Sequence, residues 1–317
     1  MRKSTPEDDV KVVPSCINSN DGRIRPGWDA SVVKEYEART EKFTELFIKD
    51  MLEPFFQAEE HTNKDPTVES TDMIPTLIDV GCGAGCASLL AAEMGFYVTA
   101  TDLSKDMVRR TLQRAEERNL LESIQGIVAD GQELSSCLDT FNQKQQQVDS
   151  YDYAIAAFSV IFFHDPAKGL QEIYNCLGHQ GKVVLSAWGN EEETPAFQVF
   201  PDAFRALTDP GHWQHGKPDR ITGSASVLTS LLTKAGFQDI QVVGPVSHTV
   251  HVVSPEAFYD RFALTSPKIR SFLSQLEPNT VEEIKSKVKE LAIERGGQED
   301  GSIAIPSKAY LAYGTKV

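Results

Sequence analysis

Three aspartates are set apart by what surrounds them: Asp79 in Asp79-Val80-Gly81-Cys82-Gly83-Ala84-Gly85-Cys86, Asp102 in TATDLS, and Asp130 in Val128-Ala129-Asp130-Gly131. Each closes a short apolar run, and each can accept hydrogen bonds or balance a cation. The glycines allow a tight turn and bring a ligand close to backbone N–H groups, at the start of a helix whose N-terminus favours negative charge. A carboxylate immediately before those glycines repels a diphosphate and attracts an ammonium or sulfonium. A dinucleotide fingerprint would also need its third small residue at Cys86, whereas the third glycine is Gly85.

A ligand with an anionic group, a cationic group and a nucleoside meets all of these conditions, and S-adenosylmethionine has an ammonium, a carboxylate and a sulfonium. Asp102 suits the two ribose hydroxyls; its alternative is to cap the helix near Lys105, where Ser104 fits better. Asp130 suits an adenine amino group, or simply an Asp-Gly turn. An NAD-type oxidoreductase and a catalytically silent S-adenosylmethionine-binding regulatory module stand as the alternatives. Cys82 and Cys86 have no second Cys/His pair at ligand spacing, so no metal is expected.

The elements that must hold these residues alternate between short apolar runs and helical stretches. Strands are predicted at Thr76–Val80, Tyr97–Thr101, Ile124–Ala129, Tyr151–Ser159, Lys182–Trp188, Asp239–Val246 and Ala309–Tyr313. Helices are predicted at Ala87–Met94, Lys105–Asn119, Ala167–Leu177 and Ala225–Ala235, the last stopped by Gly236. This alternation predicts an α/β fold with a mostly parallel sheet and its strand carboxyl ends on one rim, where ligands bind. Asn142–Val148 (NQKQQQV) reads as an exposed loop, and the stretch from Trp188 to Arg220 as irregular.

Ahead of the core, residues 1–26 read as a flexible leader and 27–72 as an N-terminal helical cap with a polar linker. The cap holds one or two amphipathic helices, opened by Asp29 and ended near Pro54. The core spans 73–253, a helical lid insertion 254–306, and the final core strand 307–317. Aromatic residues follow the fifth strand and mark the cap; Tyr36, Trp188 and Trp213 are candidate substrate contacts, with helical core packing as the competing role. Among the histidines, His164 is the candidate base because it follows the fourth strand; a thiol, amine or metalloid acceptor would need no base.

With 31 basic against 46 acidic residues, the net charge is −15, which opposes binding to a nucleic-acid backbone. No apolar run is long enough to cross a bilayer, and the first residues carry no signal-peptide pattern. Five scattered cysteines, an odd number, fit reduced thiols and a cytoplasmic location.

The blocks TLIDVGCGAGCASLLAAEMGFYVTATDLSKDMV, IVADGQEL, YDYAIAAFSVIFFHDPAKGLQEIYNCLGHQGKVVLSAW and LLTKAGFQDIQVV, in this order and spacing, resemble the class I S-adenosylmethionine-dependent methyltransferases. The likeness is to the ubiquinone/menaquinone-biosynthesis-type branch, which also holds many small-molecule methyltransferases. It implies a Rossmann-like doubly wound, mostly parallel seven-stranded sheet with helices on both faces, and methyl transfer to a small-molecule acceptor. It assigns Asp79, Gly81, Cys82, Gly83 and Gly85 to the methionine-moiety loop and Asp102 to the ribose. Leu103 and Met107 would flank the adenine, with Ala129, Asp130 and Gly131 at its amino edge, and Ala157, Phe158 and Ser159 would pass beside the transferable methyl. Ile161-Phe162-Phe163-His164 departs from the paired histidines or asparagine common in that branch, and Gly178-His179-Gln180-Gly181 replaces its usual basic-Pro-Gly-Gly turn.

Overall fold

The computed structural model describes residues 11–12, 27–60, 74–145, 150–208 and 223–317. Trp213, His212, His215, Cys16 and most of the leader and linker lie outside the described residues.

One sheet organises the chain. Strands β1 (Lys11–Val12), β2 (Thr76–Val80), β3 (Tyr97–Asp102), β4 (Ile124–Val128), β5 (Tyr151–Ala157), β6 (Leu177–Trp188), β7 (Gln238–Val252) and β8 (Ile303–Thr315) lie in the order β1-β4-β3-β2-β5-β6-β8-β7. Pairing is parallel from β1 through β6, and β8 runs antiparallel between β6 and β7. The expected mostly parallel, helix-covered sheet is therefore present. It carries one strand beyond the seven expected, because two leader residues pair with Ile127 and Val128 at the edge.

The central strands are buried along nearly their whole length, as both faces of a parallel sheet must be. Successive side chains go to opposite layers: Leu77 packs with Leu89 and Leu112, whereas Ile78 and Val80 pack with Leu134, Leu170 and Ile173. The covering helices are α3 (Cys86–Glu93), α4 (Lys105–Glu117), α5 (Leu134–Gln145), α6 (Pro166–Cys176) and α8 (Ala225–Lys234). The register sets Val80 beside Thr101 and Asp102 beside Val128, so the carboxyl ends of β2, β3 and β4 form one rim.

The cap is two helices, α1 (Ala30–Arg39) and α2 (Glu41–Glu60). Asp29 caps the first as expected, accepting from Ser31 N and Val32 N. The second does not end at Pro54; its backbone stays helical to Glu60, since a proline forfeits one N–H bond in a long segment whose other turns remain paired. Two further helices were not expected. Part of the Gln-rich loop, residues 142–145, closes α5, and α7 (Pro195–Leu207) occupies the supposedly irregular stretch. Pro195 at its first turn and Phe197, Phe200 and Phe204 at helical spacing were the signal for α7.

Between β7 and β8 stand α9 (Pro255–Thr265), α10 (Pro267–Leu273) and α11 (Pro278–Gly296). They pack on the cap and on α7: Thr40 Oγ1 donates to Thr265 Oγ1 at 3.3 Å, and Arg295 pairs with Asp202. No described helix is long and apolar enough to cross a membrane.

Candidate functional site

The turn after β2 is tied down before any side chain is considered. Gly81 N and Cys82 N both donate to Thr101 O, at 2.7 and 2.8 Å, fastening the loop to β3. Gly81, Gly83 and Gly85 have φ of 76°, 56° and 91°, the left-handed region that glycine occupies without a Cβ penalty. Their surroundings differ. A Cβ at Gly81 would overlap the Ser159 side chain, and one at Gly85 would lie 2.7 Å from Thr111 Cγ2, whereas at Gly83 nothing stands within 4 Å. The outer glycines are required by packing; the middle one faces open space.

Two of the three aspartates hold this loop from opposite sides. Asp79 is fully buried; its Oδ2 accepts from Ser88 Oγ at 2.6 Å, while its Oδ1 has no partner among the described residues. Burial pushes its carboxyl up to about 7, against the Ser88 bond, which acts the other way, and with the nearby Asp102 charge adding to the rise. Asp102 accepts from Gly83 N at 3.0 Å and from Ser104 N at 2.8 Å, and its carboxyl is also raised by burial. Each of its oxygens keeps a lone pair for a hydroxyl donor. Ser104 is the helix cap, accepting from Met107 N, as expected.

Asp130 lies two residues beyond β4 and is buried. Its Oδ1 accepts from Gln132 N at 2.9 Å and Gln132 Nε2 at 3.2 Å, so it does form the turn that was its alternative role. Ala129 N continues the ladder by donating to Asp102 O, and Gly131 gives room to Phe163, whose Cζ would lie 2.5 Å from a Cβ there. Leu103 is half-buried; Met107 is buried with Val33 and Ala84, with Trp28 and Tyr36 packed on the same cluster.

A small cavity of about 50 Å3 opens at the loop. The sheet, the glycine loop and the start of α3 supply Asp79, Gly81, Cys82, Gly83, Ala84, Cys86, Ala87, Ala157 and Phe158 to its lining. The cap supplies the rest: Tyr36, Glu41, Thr44 and Ile48. Sequence reasoning missed Glu41, Thr44 and Ile48. Their three-and-four spacing marked one face of α2, but not what that face would meet.

The cap is locked in place by charge. Glu37 accepts two bonds from Arg110, both at 2.7 Å, and Arg114 donates to Glu41 at 2.6 Å and to the glycine-loop carbonyl of Ala84 at 2.7 Å. Glu41 is nevertheless pushed up by burial, against the Arg114 bond. Tyr36 donates to or accepts from Thr44 Oγ1 at 3.3 Å, and burial raises its phenol to about 12.

Phe158 has φ of 54°, a strained backbone for an aromatic residue, and stacks on Trp188 with ring centroids 3.9 Å apart. Phe43 stacks on Trp188 at 5.7 Å and Phe47 meets it edge-on at 5.2 Å. Trp188 therefore belongs to an aromatic stack behind Phe158 and outside the cavity lining, while Tyr36 is in that lining. Ser159 Oγ is buried against Gly81 without a partner among the described residues. His164 is exposed in the turn before α6, and the cavity is lined without it.

Residues 78–185 match the family model described as a methyltransferase domain. The core of this chain is a class I S-adenosylmethionine-dependent methyltransferase domain. The match begins in β2 and ends in β6, taking in all three strand-end aspartates. Among curated proteins, this methyltransferase is 25% identical over 192 residues to a ubiquinone/menaquinone biosynthesis C-methyltransferase of Rickettsia felis, covering 54% of this chain and 73% of that one. Similar solved structures include the YcgJ protein of Bacillus subtilis, 17% identical with a TM-score of 0.47 over 77% of this chain and 92% of that one. Another is phosphoethanolamine N-methyltransferase 2 of Haemonchus contortus in complex with S-adenosyl-L-methionine, 17% identical with a TM-score of 0.49 over 95% of this chain and 60% of that one.

Proposed function

We propose that this methyltransferase acts on a small apolar acceptor held between the glycine loop and the N-terminal cap. The observation that carries this reading is the pairing of two unmet features at one loop: the open space at Gly83 and the unpartnered, buried Oδ1 of Asp79. A buried carboxylate oxygen without a donor costs roughly 1–3 kcal/mol or more, and a cationic donor offsets that cost. The residues present thus fit S-adenosylmethionine. Asp79 and the N–H groups of the loop would hold its amino-acid end, Asp102 its ribose, and Met107 and Asp130 its base.

When bound, S-adenosylmethionine supplies an electrophilic methyl group on a sulfonium for in-line displacement. The chain's own part is positional. Ala157 and Phe158 close one side of the cavity and Tyr36, Thr44 and Ile48 the other, so the acceptor is confined and water excluded; alignment of this kind lowers a barrier by up to roughly 7–11 kcal/mol. Tyr36 and Thr44 offer hydroxyls to orient a polar atom of the acceptor. The aromatic stack makes the wall rigid.

Calorimetric titration of the full chain with S-adenosylhomocysteine tests the cofactor assignment: binding to wild type is expected, and binding weakened at least a hundredfold in Asp102→Ala. Equal affinities would remove Asp102 from the site. Methyl release in the presence of an acceptor library, corrected for hydrolysis, tests transfer itself, and NADH fluorescence should show no binding.

A further inference from the structure

Outside the cofactor loop, the least satisfied charged group among the described residues is an arginine. Arg261, on α9, is 5% exposed, and no carboxylate among the described residues pairs with it. Its Nη1 donates to Arg39 O at the end of α1, but its Nη2 is buried with no partner among the described residues. The guanidinium lies over the Phe43 ring, 5.2 Å from its centroid, and 6.0 Å from that of Phe262. Burial draws Arg261 down to about 10, and the Tyr36 phenol acts the other way.

The bond to Arg39 O is a helix C-terminal contact, which suits a cation and accounts for Nη1. It leaves Nη2 and the net charge unaccounted for. Removing a cation from water without a counter-charge is costly, and ring faces offset only part of that cost. The position of the group supplies the missing element. Arg261 lies outside the cavity lining, beside Tyr36, which is in it, and against Phe43, which stacks on Trp188 and through it on Phe158 at the cavity wall. Tyr36 makes one hydrogen bond, of 3.3 Å to Thr44, and packs edge-on against Trp28.

We propose that Arg261 anchors a carboxylate of the acceptor, whose apolar frame lies between Tyr36 and the Phe43–Trp188–Phe158 stack. This rests on the methyltransferase reading and deepens it. One free nitrogen edge and one positive charge match a monoanion; a phosphate dianion would stay half uncompensated in the same apolar surroundings. A cationic acceptor, which would suit the chain's acidic excess, would be repelled.

The test uses the full chain saturated with S-adenosylhomocysteine, whose binding is measured first. Failure at that step would overturn the methyltransferase reading itself. 3-Phenylpropionate, its neutral amide and phenethylamine are then titrated by calorimetry. Wild type is expected to bind the acid at least tenfold more tightly than the amide and to exclude the amine. Arg261→Gln, with S-adenosylhomocysteine affinity retained, is expected to bring acid and amide within about threefold. An acid no better than its amide in wild type, binding of none of the three, or a tenfold preference surviving in Arg261→Gln would each overturn the proposal. Should Arg261→Gln not fold, Arg261→Lys keeps a charge without the guanidinium fork and is expected to reduce the preference at least threefold. A purely structural role for Arg261 would lower stability in both variants and leave the acid-to-amide ratio unchanged.

Discussion

The two walls of the cavity are built on opposite plans. The sheet wall comes from one continuous stretch, β2 to β5, in which each strand ends in the residue the rim requires. Its charged groups are carboxylates, and Asp102 and Asp130 are already engaged by backbone N–H groups. The helical wall is assembled from α1 and α2, with the distant α9 packed behind them, and the buried unpaired group there is a cation. A parallel sheet makes its ligand rim a consequence of topology, because right-handed crossovers bring every strand end to the same side. Helices packed over that rim have no such rule. The sheet wall is thus suited to a constant ligand and the helical wall to a particular one.

The largest effect is expected where the sheet wall tolerates no side chain. Gly81→Val combines a left-handed backbone with overlap against Ser159, and should lower unfolding free energy by roughly 3–5 kcal/mol in urea titration. Gly83→Ala should cost only about 1–2 kcal/mol, from its φ alone, yet weaken S-adenosylhomocysteine binding by tenfold or more. If the two glycines behaved alike in both measurements, the division between packing and ligand space at this loop would collapse.

Next in size is Asp102→Ala, whose hundredfold loss of affinity corresponds to about 2.7 kcal/mol. Because two loop N–H groups lose their acceptor too, part of that loss comes from the loop itself.

Asp79 separates the walls by pH. Its folded carboxyl stands near 7, above the ordinary 3.8, so between about pH 4 and 7 the folded chain holds a proton that the unfolded chain has lost. This group's contribution to stability therefore falls as pH rises across that window, by roughly 1.4 kcal/mol per unit at most, and is flat above it. Urea unfolding from pH 5 to 8 should show Asp79→Asn gaining on wild type up to pH 7. A constant difference would mean that Asp79 is not protonated in the folded state.

The smallest effects belong to exposed charge. Glu37→Gln removes a half-exposed pair with Arg110 and should cost less than about 1 kcal/mol, reduced further by salt. His164→Ala should leave turnover within about twofold, since the cavity is lined without it; a larger loss would restore it as a candidate base.

The parts of the molecule that could be read in advance are those governed by local rules. Alternation of short apolar runs with helices specified the sheet, the glycine spacing specified the loop, and Asp79, Asp102 and Asp130 announced the rim because each lies at or just past the end of its apolar run. Caps at Asp29 and Ser104 were likewise local. The failures share a cause: α7, the helical end of the Gln-rich segment and the continuation of α2 past Pro54 follow from packing and from bonds to neighbouring turns, which outweigh composition.

The helical wall was illegible for a deeper reason. Glu41, Thr44 and Ile48 are unremarkable on a helix until that helix lies over the glycine loop, and only the fold stacks Trp188 behind Phe158. Arg261 is one of 31 basic residues in the chain, with nothing around it in sequence to mark it. Its meaning arises from burial and from the absence of a carboxylate beside it among the described residues, and both depend on contacts between segments more than 200 residues apart. Residue type and spacing carry information about strand ends and turns because the backbone's geometry repeats. Solvation and charge compensation depend on which surfaces meet, and only the folded chain specifies that.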